Sequence, residues 1–393
     1  MKQRGNGMFG TIAVIALVLV AIGFGWHIYK GTSASASVVA GASVTTKAAT
    51  VESAAVAPVA VAAPAVTHIP TPAVVTGIYI SSWSAGTASS MAHIYTLIDG
   101  GKINAVVIDI KDATGRISYE PLDPSLIATG AGTKRIANLA ALIQTLHAKH
   151  IYVIGRISVF QDEYYPTIYP QDALQNSKTG GLWKDPNGLT YLQPNNTQVW
   201  HYTESIAEDA YAQGFDEINL DYVRFPSDGD LSDINETGFT QNKEDTIASF
   251  FVDIDNTLRQ KDHIPVSADL FGLTMSANDD MGIGQKLELI APHVDYICPM
   301  VYPSHFADGT YGFANPAANP YDIIHKSLSD GMAKLTAAGI PTSKLRPWLQ
   351  DFNLGAIYTP AMVEAQITAT NDLGLHSWLM WDASNKYTSS VFD

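Results

Sequence analysis

The sequence predicts an α/β chain: a (β/α)8 TIM barrel preceded by a single transmembrane helix and a disordered stalk. Three observations carry this reading. From residue 77 onward, short runs of β-favouring residues alternate eight times with amphipathic stretches, the pattern of a parallel sheet with helical crossovers. The stretch is about 315 residues long, which suits eight such units. The runs end in polar residues, and in a barrel of this kind those ends form the active-site face.

The runs are Gly77–Trp83, Ala105–Asp112, Ile151–Phe160, Glu217–Pro226, Pro265–Gly272, Val294–Ser304, Lys344–Phe352 and Leu375–Asp382. Helical patterns fall between them, among them Ile136–Lys149, Thr197–Gln213, Glu244–Gln260 and Pro360–Leu373. A doubly wound open sheet is the alternative. It calls for a Gly-rich phosphate loop after an early strand, and the sequence has none.

The N-terminus reads as an address followed by a tether. Lys2 and Arg4 precede a run from Met8 to Tyr29 free of Asp, Glu, Lys and Arg. That is long enough to cross a hydrocarbon core of about 30 Å as a helix. The basic flank puts the N-terminus in the cytoplasm and the rest outside. Residues 1–30 are thus read as a membrane anchor, making a single-pass protein with an extracytoplasmic C-terminal domain. Ser33-Ala34-Ser35-Ala36 offers a cleavage site, and a cleaved signal would make the domain secreted. Residues 31–75 are nearly all Ala, Val, Ser, Thr, Gly and Pro without an aromatic side chain. Such a segment buries too little to repay its ordering entropy and is read as a flexible linker, with the catalytic-type domain at 76–393.

Charge follows the same division. Residues 1–73 carry Lys2, Arg4, Lys30 and Lys47 against Glu52, a net of +3, and the remainder carries −18. So acidic a domain repels nucleic acid and anionic lipid. The single cysteine, Cys298, excludes an internal disulfide and a Cys-based metal site.

Side chains alternate along a strand, so parity selects which polar residues face the barrel axis. On strand four Ile218, Leu220 and Tyr222 face the helices, leaving Asn219 and Asp221 on the axis. On strand two the same parity sends Asp109 and Lys111 inward. Strand three adds Arg156 and Ser158, strand five Asp269, strand six Tyr302, strand seven Gln350 and Asp351, and strand eight Trp381 and Asp382. Carboxyl groups on neighbouring strands can flank a glycosidic bond. The candidate pair is Asp221, as nucleophile or transition-state stabiliser, and Asp269, as general acid/base. Asp109, Asp351 and Asp382 are the rivals. Lys111 and Arg224 are expected to hold Asp221 ionised. Asp109, Lys111, Arg156, Arg224, Tyr302, Gln350, Asp351 and Trp381 are read as substrate-binding. A buried ion network of Asp109, Lys111, Arg156 and Asp221 that merely plugs the barrel is the structural alternative.

Aromatic residues on two loops, Tyr164, Tyr165, Tyr169, Trp183 and Tyr191 after strand three and His305, Phe306, Tyr311 and Phe313 after strand six, offer flat faces for sugar rings, or pins for long loops. No cofactor and no metal is called for. The acidic loop of Asp228, Asp230, Asp233, Asn235 and Glu236 lacks the spacing of a calcium loop. His147 and His150 lack a zinc-binding helix pattern, and there is no Gly-x-Ser-x-Gly elbow.

Three segments, Val107-Ile108-Asp109-Ile110-Lys111-Asp112-Ala113-Thr114-Gly115, Leu220-Asp221-Tyr222-Val223-Arg224-Phe225-Pro226 and Trp378-Leu379-Met380-Trp381-Asp382-Ala383-Ser384-Asn385, together resemble the bacterial "putative glycosyl hydrolase" domain family of unknown function. The resemblance spans Val75–Tyr387 and implies a barrel fold and a hydrolase without fixing a substrate. Gly214-Phe215-Asp216-Glu217-Ile218-Asn219-Leu220-Asp221 is more distantly similar to the strand-four signature of family 18 chitinases, and Met300, Tyr302 and Trp381 resemble their strand-six and strand-eight residues. Where those enzymes carry their acid, this sequence has Val223, so the resemblance implies an acid supplied from elsewhere. The expected activity is hydrolysis of O-glycosidic bonds in an envelope or extracellular polysaccharide, peptidoglycan strands among them. The alternative is a catalytically inactive carbohydrate-binding barrel at the cell surface.

Overall fold

Eight parallel strands close into a barrel in sequence order, the first pairing with the last. They are β1 (Thr76–Ile80), β2 (Ala105–Lys111), β3 (Tyr152–Ser158), β4 (Glu217–Asp221), β5 (Val266–Phe271), β6 (Tyr296–Met300), β7 (Trp348–Gln350) and β8 (Trp378–Trp381). The computed structural model describes residues 66–392. The expected anchor at 1–30 lies outside the described residues, as does the linker up to residue 65. Among the described residues no helix is long and apolar enough to cross a membrane.

The helices that cover the barrel are α1 (Ala88–Asp99), α2 (Leu139–Ala148), α3 (Thr197–Ala212), α4 (Lys243–Ile254), α5 (Leu287–Ile290), α6 (Pro320–Ala337) and α7 (Pro360–Asp372). Their starts are chemically marked. Asn138, Asn196 and Asn242 each cap a helix by accepting a backbone N–H with the side-chain oxygen, which satisfies a donor the helix itself cannot. Pro320 and Pro360 open α6 and α7, where the missing N–H costs nothing.

Strand alternation sorts the core into two shells. Ile78, Ile80, Val106, Ile108, Ile110, Val153, Ile157, Ile218, Leu220, Val266, Ala268 and Leu270 pack outward under the helices. Tyr79, Ala105, Val107, Tyr152, Ile154, Cys298, Trp348 and Leu379 fill the barrel. Both faces of each strand are covered, which is why β2 and β3 are buried at every position. On β3, Gly155 is the close-approach position. A Cβ there would lie 2.3 Å from Ile110 Cδ1 and 2.9 Å from Phe215 Cδ1.

At the N-terminal end of the barrel Arg346 binds Glu217 through both carboxylate oxygens, at 2.8 and 3.2 Å, and lies over the Tyr296 ring. The preceding segment crosses this end. The Ile69 N–H donates to Asp216 at 2.7 Å, the Thr71 and Tyr152 hydroxyls are 2.8 Å apart, and His68 stacks on Tyr211. Within the segment read as linker, Ile69 and Val75 thus reach the inner core cluster.

Candidate active site

The C-terminal ends of β2, β4 and β5 bring three carboxyl side chains to the guanidinium of Arg156 on β3. Register aligns Asp109 with Arg156, Arg156 with Asn219 and Asn219 with Ser267, two residues before Asp269. Arg156 donates from Nη1 to Asp109 Oδ1 at 2.6 Å, and from Nη2 and Nε to Asp221 Oδ2 at 2.5 and 3.1 Å. Its Nε is also 3.9 Å from Asp269 Oδ2. Both Oδ2 atoms thus lie close to one nitrogen, which bounds their separation at about 7.0 Å. Asp109 accepts a further bond from the Tyr79 hydroxyl at 2.6 Å. All five side chains are buried.

The two carboxyl groups differ in surroundings. Asp221 takes two N–H bonds from Arg156 and one from the Tyr222 backbone, at 2.6 Å. Asp269 holds Asn219 Nδ2 at 2.8 Å and Trp348 Nε1 at 2.7 Å, both on Oδ1. Burial, and then the charge of Asp221, push Asp269 well above the ordinary carboxylate range, against the opposing pull of Arg156, Asn219 and Trp348. Burial also raises Asp109, with Arg156 opposing. Two neighbouring carboxyls with divergent environments can divide the work of acid and anion between them.

Tyr222, directly after β4, has φ 53°, a conformation that costs a non-glycine residue energy and tends to persist at functional sites. Beyond it the chain turns, and Val223 is fully buried in the helix-facing core. A side chain at that position does not line the cleft, so no acid is presented there.

Above the carboxyls opens a cleft of about 1040 Å³. Phe271, Tyr302, His305, Phe306, Trp348, Phe352 and Trp381 line it together with Arg156, Arg224, Asp221 and Asp269. Tyr79 stacks under Trp381 at 3.9 Å, and Trp381 meets Trp348 edge-on. Burial lowers the His305 pKa to about 4, so its imidazole is neutral near pH 7.

Of the residues selected from the sequence, Asp221, Asp269, Arg156, Arg224, Tyr302, Asp351 and Trp381 line the cleft. Asp109 sits behind Arg156 as its counter-ion. Lys111 departs from expectation. The β2–β3 register shifts between Asp109 and Lys111, and this irregularity undoes the parity that would have sent Lys111 inward. It lies buried, bonded to Asp162 at 2.6 Å, with its ammonium over Tyr202 of α3. Neither it nor Arg224 is the partner of Asp221; Arg156 is. Gln350 is also outside the cleft lining, tying Ser304 to the Phe352 carbonyl. The rivals Asp351 and Asp382 are bonded to Thr388 and Ser384.

The loop aromatics divide. Trp183 and Tyr191 pack with Leu174 and Ile234 in a cluster of their own, and Tyr165 stacks on Tyr202. They pin the loop, while His305 and Phe306 line the cleft. Asp230 and Asp233 of the acidic loop pair with Lys178. Tyr79 and Trp348 were not selected from the sequence, and both lie in the barrel interior. Phe271 and Phe352 carry no signal beyond their place at strand ends.

A family model described as "Putative glycosyl hydrolase domain" matches residues 77–387. A solved hypothetical protein from Ruminiclostridium thermocellum is 31% identical, with a TM-score of 0.45, over 52% of this chain and 98% of its own. The PgaB (BpsB) glycoside hydrolase domain from Bordetella bronchiseptica superposes with a TM-score of 0.55 at 12% identity, over 81% of this chain and 99% of its own, and shares the fold. A chitinase from Chromobacterium violaceum gives a TM-score of 0.46 at 14% identity, over 81% and 97%. No curated protein matches. With nearly the whole barrel matched, this chain belongs to the "putative glycosyl hydrolase" domain family, a group of glycoside hydrolase type.

Proposed function

We propose that this protein hydrolyses O-glycosidic bonds in an envelope or extracellular polysaccharide, with Asp269 as general acid/base and Asp221 as the anionic partner. The observation that carries this is the unequal pair on Arg156: Asp221 is held by a guanidinium, and Asp269 is driven toward its protonated form. Asp269 delivers its proton to the glycosidic oxygen as the bond to the anomeric carbon breaks. Asp221 meets the positive charge that develops on the sugar, either by bonding to the anomeric carbon or by steadying the oxocarbenium-like state. A water that gives its proton to Asp269 then bonds to the anomeric carbon, releasing the sugar and freeing both carboxyls for the next turnover. The bound of about 7.0 Å excludes the longer part of the separation range typical of inversion. The aromatic lining supports a sugar ligand. The extracytoplasmic setting rests on the apolar run Met8–Tyr29.

An inert sugar-binding barrel is the second reading, favoured by Val223 at the position of the chitinase acid. Reducing-sugar release by the full chain from a panel of envelope and extracellular glycans separates the two. Hydrolysis lost in Asp221→Asn and Asp269→Asn, with folding intact, upholds the proposal. Binding of a glycan with no release of reducing ends supports the inert barrel.

A further inference from the structure

Among the described residues four cationic side chains are buried: Lys111, Arg156, Arg224 and Arg346. Three have a carboxylate in direct contact. Lys111 has Asp162 at 2.6 Å, Arg156 has Asp109 at 2.6 Å, and Arg346 has Glu217 at 2.8 Å. Arg224 is only 4% exposed, yet no carboxylate of the described residues lies within 4 Å of it. Burying a charge is costly unless it is paired, and of these four buried cations Arg224 alone lacks a carboxylate partner among the described residues. Arg224 is also the one of the four, apart from the saturated Arg156, that lines the cleft.

The partners it does have leave most of the guanidinium unused. Nη1 donates to the Phe225 carbonyl at 3.0 Å and to the Ser227 hydroxyl at 3.3 Å. The Phe271 and Tyr222 rings lie 4.9 and 5.3 Å from the guanidinium carbon, contacts that offset only part of a buried ion's lost hydration. Asp228 is reached only at one remove, through Ser227. Among the described residues Nε is buried without an acceptor, and no acceptor meets Nη2. A planar fork with free donors, facing a ligand site, suits a carboxylate. Asp221, Asp351 and Asp382 line the same cleft, and negative charge on them disfavours a dianionic or densely charged group there.

We propose that Arg224 forms a subsite for a single carboxylate carried by the sugar, so that the substrate is an acidic glycan bearing a uronic acid or carboxyalkyl ether. This rests on the glycan-hydrolase reading above and adds the substrate class to it.

The test measures binding to full-length Asp269→Asn protein, whose amide oxygen can still accept from Asn219 and Trp348. The probes are hyaluronan, polygalacturonate and peptide-free peptidoglycan strands, each beside its carboxyl-reduced form, with dextran sulfate as a densely charged comparator. At least one carboxylated polymer is expected to bind tenfold or more tightly than its reduced form. Arg224→Gln should erase that ratio while changing affinity for the reduced form less than twofold, and Arg224→Lys should restore part of it. Equal binding of native and reduced polymers, preference for dextran sulfate, equal weakening of both forms by Arg224→Gln, or no binding of any carboxylated polymer would overturn the subsite. The first comparison needs no Arg224 variant, so it stands even if one misfolds. Hydrolysis of neutral glycans alone by the wild type would sink this inference and leave the hydrolase reading intact. Arg224-dependent binding without hydrolysis does the reverse.

Discussion

Arg156 is the residue on which the site turns, because Asp109 and Asp221 both depend on it. Removing it strands two carboxylates in the barrel. Arg156→Met is expected to lower unfolding free energy by about 3–5 kcal/mol, read from urea denaturation. Asp109→Asn, whose amide oxygen can still accept from Arg156 at the Oδ1 position while its NH2 faces the Tyr79 hydroxyl oxygen, should cost less. Asp269 gives a prediction with a sign. Its folded-state pKa is raised, so the stability it contributes is complete below its unfolded value, about 3.9, and is lost as pH rises through the folded one. Asp269→Asn, neutral throughout, should therefore gain stability relative to wild type as pH is raised. In the active protein the same titration should set the alkaline limb of the pH–rate profile, above the ordinary range for an aspartate. Much of this was legible in advance. Strand parity found Asp109, Asn219, Asp221 and Asp269. It failed at Lys111 because a one-residue irregularity in pairing leaves no mark in composition. It offered Lys111 and Arg224 as the cations holding Asp221 and named Arg156 as an ion partner only within the ion-network alternative, because which of several cations reaches a carboxylate depends on register between strands.

At the scale of elements, alternation explains why the eight predicted runs became strands, and why their ends were overestimated. The run Val294–Ser304 shortens to Tyr296–Met300, since polar and proline-bearing ends leave the sheet to build the cleft. Tyr222 is the sharpest case. A positive φ at a tyrosine has no sequence signature, yet beyond it Val223 packs into the core and Arg224 lines the cleft. The contact between β3 and its neighbours is tightest at Gly155, where a methyl group would collide with Ile110 and Phe215. Gly155→Ala is expected to destabilise the barrel by about 1–3 kcal/mol through overpacking, seen as a lower thermal midpoint. Gly180→Ala, at a loop glycine with no atom within 4 Å of a built Cβ but with φ 71°, isolates the backbone cost alone.

On the scale of the whole molecule, the two ends of the barrel have separate duties. The N-terminal end is sealed by the Arg346–Glu217 pair and by the segment that carries Ile69 and Thr71. The C-terminal end carries the cleft. A chain beginning at residue 76 loses the bonds of Ile69 and Thr71 and the packing of Val75, and is expected to be less stable by about 2 kcal/mol, measured against a chain beginning at residue 66. Composition alone assigned this stretch to the linker, because Ala, Pro, Thr and Val give no periodic pattern. Only the folded barrel supplies the Tyr152 hydroxyl and the Asp216 carboxylate that hold it. The acidity of the domain belongs to the same scale and makes the uncompensated Arg224 conspicuous.

The central claim is that Asp221 and Asp269 act as an unequal pair in breaking a glycosidic bond. Its most direct test is single-turnover hydrolysis of an activated aryl glycoside by the full chain, comparing wild type, Asp221→Gly and Asp269→Asn, with and without azide. The account predicts that Asp221→Gly loses at least a hundredfold in rate, whereas Asp269→Asn loses that much only on an unactivated alkyl glycoside and far less on the activated one, whose leaving group needs little protonation. If Asp221 bonds to the sugar, azide should restore turnover in Asp221→Gly. Undiminished hydrolysis by folded Asp221→Gly, or of the unactivated glycoside by folded Asp269→Asn, would contradict the pair.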